Sequence, residues 1–265
     1  MVAICYNHTK SFRVEFINCL FLNFKIEHKM KKRMRILCLT LLIIGSSQVL
    51  LSQNIDSKTF NGLKFRNIGP ALTSGRIADI AIHPEDESVW YVAVGSGGVW
   101  KTENSATTWK PIFDRQTSYS IGCVTIDPSN PHIVYVGTGE NVGGRHVGFG
   151  DGIYRSEDDG RSWKNIGLKA SEHISKIIVH PEDSQTIWVA AQGPLWSKGG
   201  ERGVYKTTDG GKTWKRTLGD AEWTGATDIL IDPRDPDVLY AATWQRHRTV
   251  AMYLGGGPGS GIHKS

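Results

Sequence analysis

Residues 156–163 read SEDDGRSW, and the same pattern returns as TTDGGKTW at residues 207–214 and, in altered form, as TENSATTW at residues 102–109. The common form is Ser/Thr-x-Asp/Asn-x-Gly/Ala-x-Ser/Thr-Trp. A repeat of this kind marks a supersecondary unit that buries its apolar face only against a neighbouring copy. The three copies are therefore expected to occupy equivalent places in successive structural units.

The pattern has the chemistry of a tight hairpin turn. The acidic or amide side chain at its third position accepts hydrogen bonds from backbone amides, and glycine two positions later supplies a positive φ angle. Tryptophan opens the next strand and packs under the turn, with its indole N–H available to a carbonyl group. Because these residues recur at identical positions, we interpret them as structural and not as catalytic or calcium-binding: Asn104, Trp109, Asp158, Gly160, Trp163, Asp209, Gly211 and Trp214.

Apolar runs rich in β-branched and aromatic residues precede every copy, joined in pairs by turns at Pro84, Pro128, Pro181 and Pro233. Such runs predict strands, four to a unit, and the tryptophans recur about every 50 residues. The sequence therefore predicts an all-β fold, a β-propeller built of four-stranded blades. A β-sandwich is the alternative, but it does not repeat the same turn at the same phase three times.

The fourth unit stops early in this sequence. Residues 261–265 align with residues 152–156, so the last residue is the first of a fourth turn motif. Three blades and part of a fourth do not close a ring, and an open arc exposes apolar blade faces. We therefore expect residues 54–265 to be a partial propeller, truncated at its C-terminus, from a longer protein.

The beginning of the chain predicts export. A basic segment that starts at Met30 precedes a short apolar run ending at Gly45, the arrangement of a secretory signal peptide, which we place at residues 30–53. The apolar run is too short for a membrane span, so we expect none in the mature chain. Residues 1–29 do not fit this scheme and resemble translated upstream sequence. The expected location is the periplasm or the cell surface.

Charge and cysteine content exclude several classes of function. The net charge of +5 is concentrated in the leader, and the nearly balanced remainder lacks the basic surface of a nucleic-acid-binding protein. We interpret Arg246 and Arg248 as solvated loop charges. Of the four cysteines, only Cys123 follows the predicted cleavage zone, so the mature fragment has no intramolecular disulfide. His and Cys residues show no metal-site spacing, and we expect neither a metal nor a cofactor.

Candidate functional residues lie in the loops, since loops carry function in rigid repeat folds. The longest insertion, residues 139–151, offers Glu140 and Asp151 as catalytic candidates, because two carboxylates are the minimum for glycoside hydrolysis. Aromatic and basic residues of neighbouring insertions are candidates for a carbohydrate or peptide platform: Arg145, His146, Trp196, Trp244 and Arg246. The alternative for any one of them is a solvated residue in a glycine-rich loop.

From about Phe60 to Ser265, with the motifs at residues 156–163 and 207–214, the chain resembles the Asp-box (bacterial neuraminidase repeat) propellers. Within these it is most similar to exported bacterial proteins related to the amino-terminal propeller of the sortilin receptors, often labelled glycosyl-hydrolase-like. The resemblance to sortilin implies protein or peptide ligands bound in a propeller channel. It specifies the fold more than the activity, because Asp-boxes occur in sialidases, xyloglucan hydrolases, photosystem assembly factors and sorting receptors alike.

Two departures from these relatives weigh against catalysis. Xyloglucan-hydrolysing relatives carry a catalytic Asp just before a Gly-Gly pair of an early blade, where residues 94–100 of this chain hold no carboxylate. The arginine triad of sialidases is not recognisable either. We therefore predict an exported Asp-box propeller that binds a protein, peptide or glycan ligand, with a glycoside hydrolase acting on polysaccharide as the alternative.

Overall fold

The computed structural model describes residues 31–33, 62, 75–219 and 222–265. The chain divides into two compact units, Met1–Gly69 and Pro70–Ser265. In the first unit only residues 31–33, which are helical, and residue 62 are described. The predicted signal peptide, apart from residues 31–33, and the predicted upstream extension therefore lie outside the described residues.

The second unit consists of four antiparallel β-sheets that follow one another along the chain. Blades 1, 2 and 3 have four strands each, and blade 4 has three. A short two-stranded ribbon stands in a loop of blade 4, and a 3₁₀ helix (Lys169–Ser171) joins blades 2 and 3. The strands are, in blade 1, β1 (Ile77–Ile82), β2 (Trp90–Val94), β3 (Gly98–Thr102) and β4 (Lys110–Pro111); in blade 2, β5 (Ile121–Ile126), β6 (Val134–Thr138), β7 (Ile153–Ser156) and β8 (Lys164–Gly167); in blade 3, β9 (Ile174–His180), β10 (Asp183–Ala191), β11 (Gly203–Thr207) and β12 (Lys215–Leu218); and in blade 4, β13 (Thr224–Asp232), β14 (Asp235–Gln245) and β17 (Gly261–Lys264), with β15 (His247–Arg248) and β16 (Tyr253–Leu254) as the ribbon.

This architecture confirms the predicted all-β propeller, here a partial one. In every blade the strands pair in the order of the sequence, and the first strands of consecutive blades, β1, β5, β9 and β13, lie side by side. A β-sandwich has two sheets facing each other, whereas here each sheet faces the next in a series. Among the described residues of the second unit, the 3₁₀ helix is the helical exception.

Three apolar cores lie between consecutive blades. Because side chains alternate across a strand, β6 sends Val134 and Val136 into the core shared with blade 1 and Tyr135 into the core shared with blade 3. The third core joins Trp188 of blade 3 to Ile229 of blade 4. Burying a large apolar side chain stabilises the fold by about 1.5–3 kcal/mol, so packing between blades holds the second unit together.

The repeated turns form the local network that their sequence predicts. In the second copy Asp158 Oδ1 accepts from the backbone N–H of Ser162 at 2.8 Å, and Asp158 Oδ2 accepts from the Ser162 hydroxyl at 2.6 Å. Asp209 makes the same two bonds with Thr213, at 3.0 and 2.6 Å. Gly160 and Gly211 have positive φ angles of 85° and 92°.

The altered first copy keeps the same geometry with different residues. Asn104 Oδ1 accepts from the backbone N–H of Thr108 at 2.8 Å, and Asn104 Nδ2 donates to the Thr108 hydroxyl at 2.9 Å. Ala106, in the place of the glycine, has a φ angle of 68°. The amide therefore substitutes for the carboxylate without loss of the hydrogen-bonded turn.

The tryptophans that end the second and third copies of the motif each connect two blades. Trp163 Nε1 donates to the carbonyl oxygen of Ile112 at 2.9 Å, and Trp214 Nε1 donates to that of Ile166 at 2.8 Å. Each acceptor belongs to the preceding blade. Trp109, in the first described blade, packs edge-on against Trp90 of its own sheet at 6.5 Å between ring centroids.

Candidate functional site

Loops of one type gather at one end of the blades. In an antiparallel sheet the turn between strands one and two lies at the opposite end from the loop between strands two and three. We call the second-to-third loops of the four blades the loop face: residues 95–97 in blade 1, 139–152 in blade 2, 192–202 in blade 3 and 246–260 in blade 4. The Asp-box turns, which join strands three and four, lie at the other end.

The loops of blades 2 and 4 are locked together by long-range hydrogen bonds. Arg248 Nη2 donates to the Gly143 carbonyl at 3.0 Å, and Arg145 Nη2 donates in the reverse direction to the Val250 carbonyl at 3.0 Å. Arg246 Nη1 adds a bond to the Val142 carbonyl at 3.3 Å. Backbone carbonyls thus accept from arginine side chains in both directions between the two loops.

The blade 3 loop joins the same network. Gln192 Nε2 donates to the Asn141 carbonyl at 3.1 Å, and the backbone N–H of Arg248 donates to the Leu195 carbonyl at 3.1 Å. Arg246 Nη2 donates to the Gly193 carbonyl at 3.2 Å. Three loops that are distant in sequence therefore form one continuous surface.

Glu140 lies at the junction of blades 1 and 2. Its side chain is only 2% exposed and accepts hydrogen bonds from the Arg76 guanidinium and from the Ser96 hydroxyl of the blade 1 loop. Arg76 also contacts His146, with 3.1 Å between Nη1 and Nε2. The structure thus brings two predicted residues, Glu140 and His146, to one cation that sequence reasoning did not single out.

Asp151, the second candidate carboxylate, has a different set of partners. It accepts from the Tyr154 hydroxyl at 2.7 Å and from the Thr117 hydroxyl, and its backbone N–H donates to Thr138 Oγ1 at 2.8 Å. None of these groups contacts the Glu140 carboxylate among the described residues. Glu140 is held toward blade 1, whereas Asp151 is held by side chains of its own blade and by Thr117.

Arg246 corrects one expectation. Its side chain is 0% exposed, so the interpretation of a solvated loop charge is wrong for this residue. Burial, and then the nearby charge of Arg202, lowers the pKa of Arg246 to about 10. Arg246 binds carbonyl oxygens of the blade 2 and blade 3 loops and is not presented to a ligand at the surface. Arg248, half-buried with its guanidinium 4.4 Å from the Tyr253 ring centroid, is not freely solvated either.

The predicted tryptophans have different surroundings. Trp196 stands at the surface of the blade 3 loop with 38% of its side chain exposed. Trp244 is half-buried and packs edge-on against Tyr253 of the ribbon, at 6.5 Å between centroids and an interplanar angle of 89°. Tyr253 itself is exposed. Aromatic rings of blades 3 and 4 therefore border the loop face.

Sequence reasoning missed two residues that stand directly ahead of the first strand of a blade. His173 is fully buried, and burial with the charge of Arg246 lowers its pKa to about 3, so its imidazole is neutral. Trp223 stacks on His247 at 3.8 Å between centroids. The sequence did hold a signal, because Ser120, His173 and Trp223 occupy the same place in three consecutive units.

Gly139 permits the blade 2 loop to start where it does. Its φ angle is +87°, and a Cβ built on it would overlap the carbonyl oxygen of Glu172. That carbonyl accepts the backbone N–H of Gly150 at 2.7 Å, at the other end of the same loop. The loop base is therefore too narrow for a side chain at Gly139.

Two further findings concern the described part of the chain. No group of three or more His, Cys, Asp and Glu side chains there is arranged to hold a metal ion. The helical residues described include no segment with the length and apolar character needed to cross a bilayer.

Comparison with known proteins agrees with the blade architecture. The model of the Sortilin-Vps10 family (sortilin, neurotensin receptor 3) matches residues 151–254. The chain is 24% identical over 185 residues to a xyloglucanase of Hypocrea jecorina, an alignment that covers 64% of this chain and 21% of the relative. It is 32% identical over 87 residues to the vacuolar protein sorting/targeting protein 10 of Sordaria macrospora, covering 32% of this chain and 5% of the relative.

Solved structures show the same fold. The GH74 xyloglucanase of Xanthomonas campestris superposes with a TM-score of 0.51 at 20% identity, covering 72% of this chain and 28% of that one. The chain thus spans about a fifth of the first curated relatives that it matches and less than a third of this structure. These matches confirm the predicted resemblance to sortilin-like and glycosyl-hydrolase-like Asp-box propellers.

Proposed function

We propose that this chain is part of an exported propeller whose loop face binds a protein, peptide or glycan ligand. The observation that carries the proposal is the locked loop network, in which Arg246 donates to carbonyls of both the blade 2 and the blade 3 loops. A surface held in one conformation before the ligand arrives loses little conformational entropy on binding. Export rests on the predicted signal peptide at residues 30–53.

Among these ligand classes the exposed aromatic residues favour a glycan. Trp196 and Tyr253 present ring surface at the loop face, with Trp244 behind Tyr253. Aromatic rings provide flat apolar contact area with a polar edge, which suits the faces of sugar rings. The similarity to xyloglucanases supports the same class of ligand.

Glycan binding is tested by calorimetric titration of xyloglucan oligosaccharides, with protein and peptide ligands screened in parallel. The chain offers a matched pair of variants, because Trp196 is 38% exposed on the loop face and Trp109 is 37% exposed in an Asp-box at the other end. We expect Trp196→Ala to weaken binding about 10-fold or more and Trp109→Ala to leave it unchanged. Equal effects of the two variants, or no binding of any glycan, would contradict the glycan proposal.

Glycoside hydrolysis is the second candidate, because the xyloglucanase relatives favour it. It requires two carboxylates on either side of the scissile bond. The Glu140 carboxylate is 2% exposed and paired with Arg76, so it is not presented to a substrate, which supports binding over hydrolysis as the function of this part of the chain.

Hydrolysis is tested by reducing-end release from xyloglucan, with Glu140→Gln and Asp151→Asn as variants. Glu85→Gln serves as the control, because Glu85 is exposed in the turn between β1 and β2, at the other end of the blade. If Glu140→Gln and Asp151→Asn both abolish the release while Glu85→Gln retains it, the result favours the enzyme. Ligand binding without release favours the binding function.

A further inference from the structure

Buried polar atoms without partners are concentrated beneath the loop face. Among the described residues, most buried side-chain nitrogen and oxygen atoms that lack a hydrogen-bond partner lie here: Arg202 Nη1, Arg246 Nε, Arg248 Nε, both ring nitrogens of His173, Gln192 Oε1 and Ser171 Oγ. A buried polar group that loses water without a replacement is costly, and native proteins rarely leave several together. The cluster therefore implies a further occupant.

Two of these groups are like-charged and close together. Arg246 Nη2 donates to the Gly193 carbonyl at 3.2 Å, and a Cβ built on Gly193 would lie 2.9 Å from Arg202 Cζ. Arg246 thus binds the glycine beside which the Arg202 guanidinium lies. Arg202 is 1% exposed and Arg246 is 0% exposed, so bulk solvent screens neither charge.

The described residues compensate these charges only in part. No carboxylate among them lies within ion-pair distance of Arg202 or Arg246. Glu172 acts on both guanidinium groups from further away, and burial raises the pKa of its own carboxyl group. The two buried guanidinium groups thus share one distant carboxyl group and have no contacting carboxylate among the described residues.

We propose that this cluster is a binding site for a small monovalent anion of the size of chloride. The unpartnered N–H groups of Arg202 Nη1 and Arg246 Nε are its donors. An anion offsets the charge of the two arginines, and the burial of both side chains restricts the occupant to a single small ion. The site differs from the exposed aromatic surface proposed to bind ligand, and it stands whether or not that surface binds a glycan.

The first experiment measures thermal unfolding of the full chain at constant ionic strength while sodium gluconate is replaced by sodium chloride. Gluconate is too large for a closed site, so chloride is expected to raise Tm by about 2–4 °C. Arg246→Met is expected to abolish the difference between the two salts. Arg234→Met is the control, because Arg234 is 86% exposed and pairs with Asp232 on the surface, and it is expected to retain the difference.

A second measurement keeps the proposal testable if Arg246→Met does not fold. Crystals of the unaltered protein grown in bromide are expected to show an anomalous peak within hydrogen-bond distance of Arg246 Nε and Arg202 Nη1. Equal Tm values in the two salts, or an anomalous map without a peak at that place, would overturn the proposal.

Discussion

The indole N–H of Trp214 donates to the carbonyl oxygen of Ile166 across 2.8 Å and so ties blade 3 to blade 2. Trp163 makes the equivalent bond to Ile112, at 2.9 Å, between blades 2 and 1. A motif that is local in sequence thereby supplies a contact between successive units. The last residue of these two Asp-boxes therefore contributes to packing between blades as well as to the shape of a turn.

Removal of this bond is expected to weaken the packing of neighbouring blades. Trp214→Phe keeps most of the ring but leaves the Ile166 carbonyl without its donor, which is expected to lower the free energy of unfolding by about 1–3 kcal/mol. Urea unfolding followed by circular dichroism measures the loss. Trp109→Phe, at a partly exposed ring that packs within its own sheet, is the control; an equal loss there would argue against a role between blades.

The Asp-box carboxylates predict an acid-sensitive turn. Hydrogen bonds from Ser162, first from its hydroxyl and then from its backbone, lower the pKa of Asp158 to about 2. A lowered pKa in the folded state means that the unfolded state binds more protons in this range. The contribution of Asp158 to the free energy of unfolding is therefore complete above about pH 4 and is lost as pH falls from about 4 to 2.

Asp158→Asn is therefore expected to flatten the pH dependence of stability in this window while the turn survives. Asn104 shows that an amide holds the same turn in blade 1. Chemical unfolding at several pH values between 5 and 2 measures the slope. A slope equal to that of the unaltered protein would show that the turn does not favour the ionised carboxylate.

His173 predicts a second, separate pH effect. Burial lowers its pKa to about 3, against about 6.5 for an exposed histidine, so its contribution to stability is present above pH 6.5 and falls as pH decreases toward 3. One such proton gives a slope of up to about 1.4 kcal/mol per pH unit.

His173→Gln is expected to remove this slope between pH 6.5 and 4, above most of the range in which Asp158 titrates. His132→Gln is the control, because His132 is largely exposed beside Asp159. Unfolding free energies measured at half-unit pH intervals give both slopes. If His132→Gln changes the slope as much as His173→Gln, the buried imidazole is not its source.

Gly139 and Gly199 form a matched pair for the loop base. Both have positive φ angles, +87° and +79°, but a Cβ at Gly139 overlaps the Glu172 carbonyl, whereas one at Gly199 has no neighbour within 4 Å. Gly199→Ala is expected to cost only the backbone strain, about 1 kcal/mol, and Gly139→Ala clearly more. Unfolding free energies and ligand affinities of both variants are measured, and Gly139→Ala is expected to lose ligand binding. Similar costs in unfolding free energy at both positions would show that the backbone at the loop base shifts to accommodate a side chain.

The blade architecture was predictable from sequence because its determinants are local. Asp158 bonds Ser162 within one turn, and the apolar runs ending at Pro128 or Pro181 each pair with the next run along the chain. The site was predictable only as a set of loops. Glu140 meets Arg76, and Arg145 meets Val250, across long sequence separations, and no repeat or spacing specifies such partners.

The amino-acid sequence by itself determined the turn chemistry, the strand order and the succession of blades, since hydrogen bonds and side-chain alternation over a few residues dictate them. Only the tertiary structure decided that Arg246 is buried beneath the loops, that Glu140 faces blade 1 while Asp151 does not, and that His173 is neutral. Each of these depends on which groups from other blades exclude water or supply charge around a side chain, and burial and electrostatic environment arise only when the blades pack together.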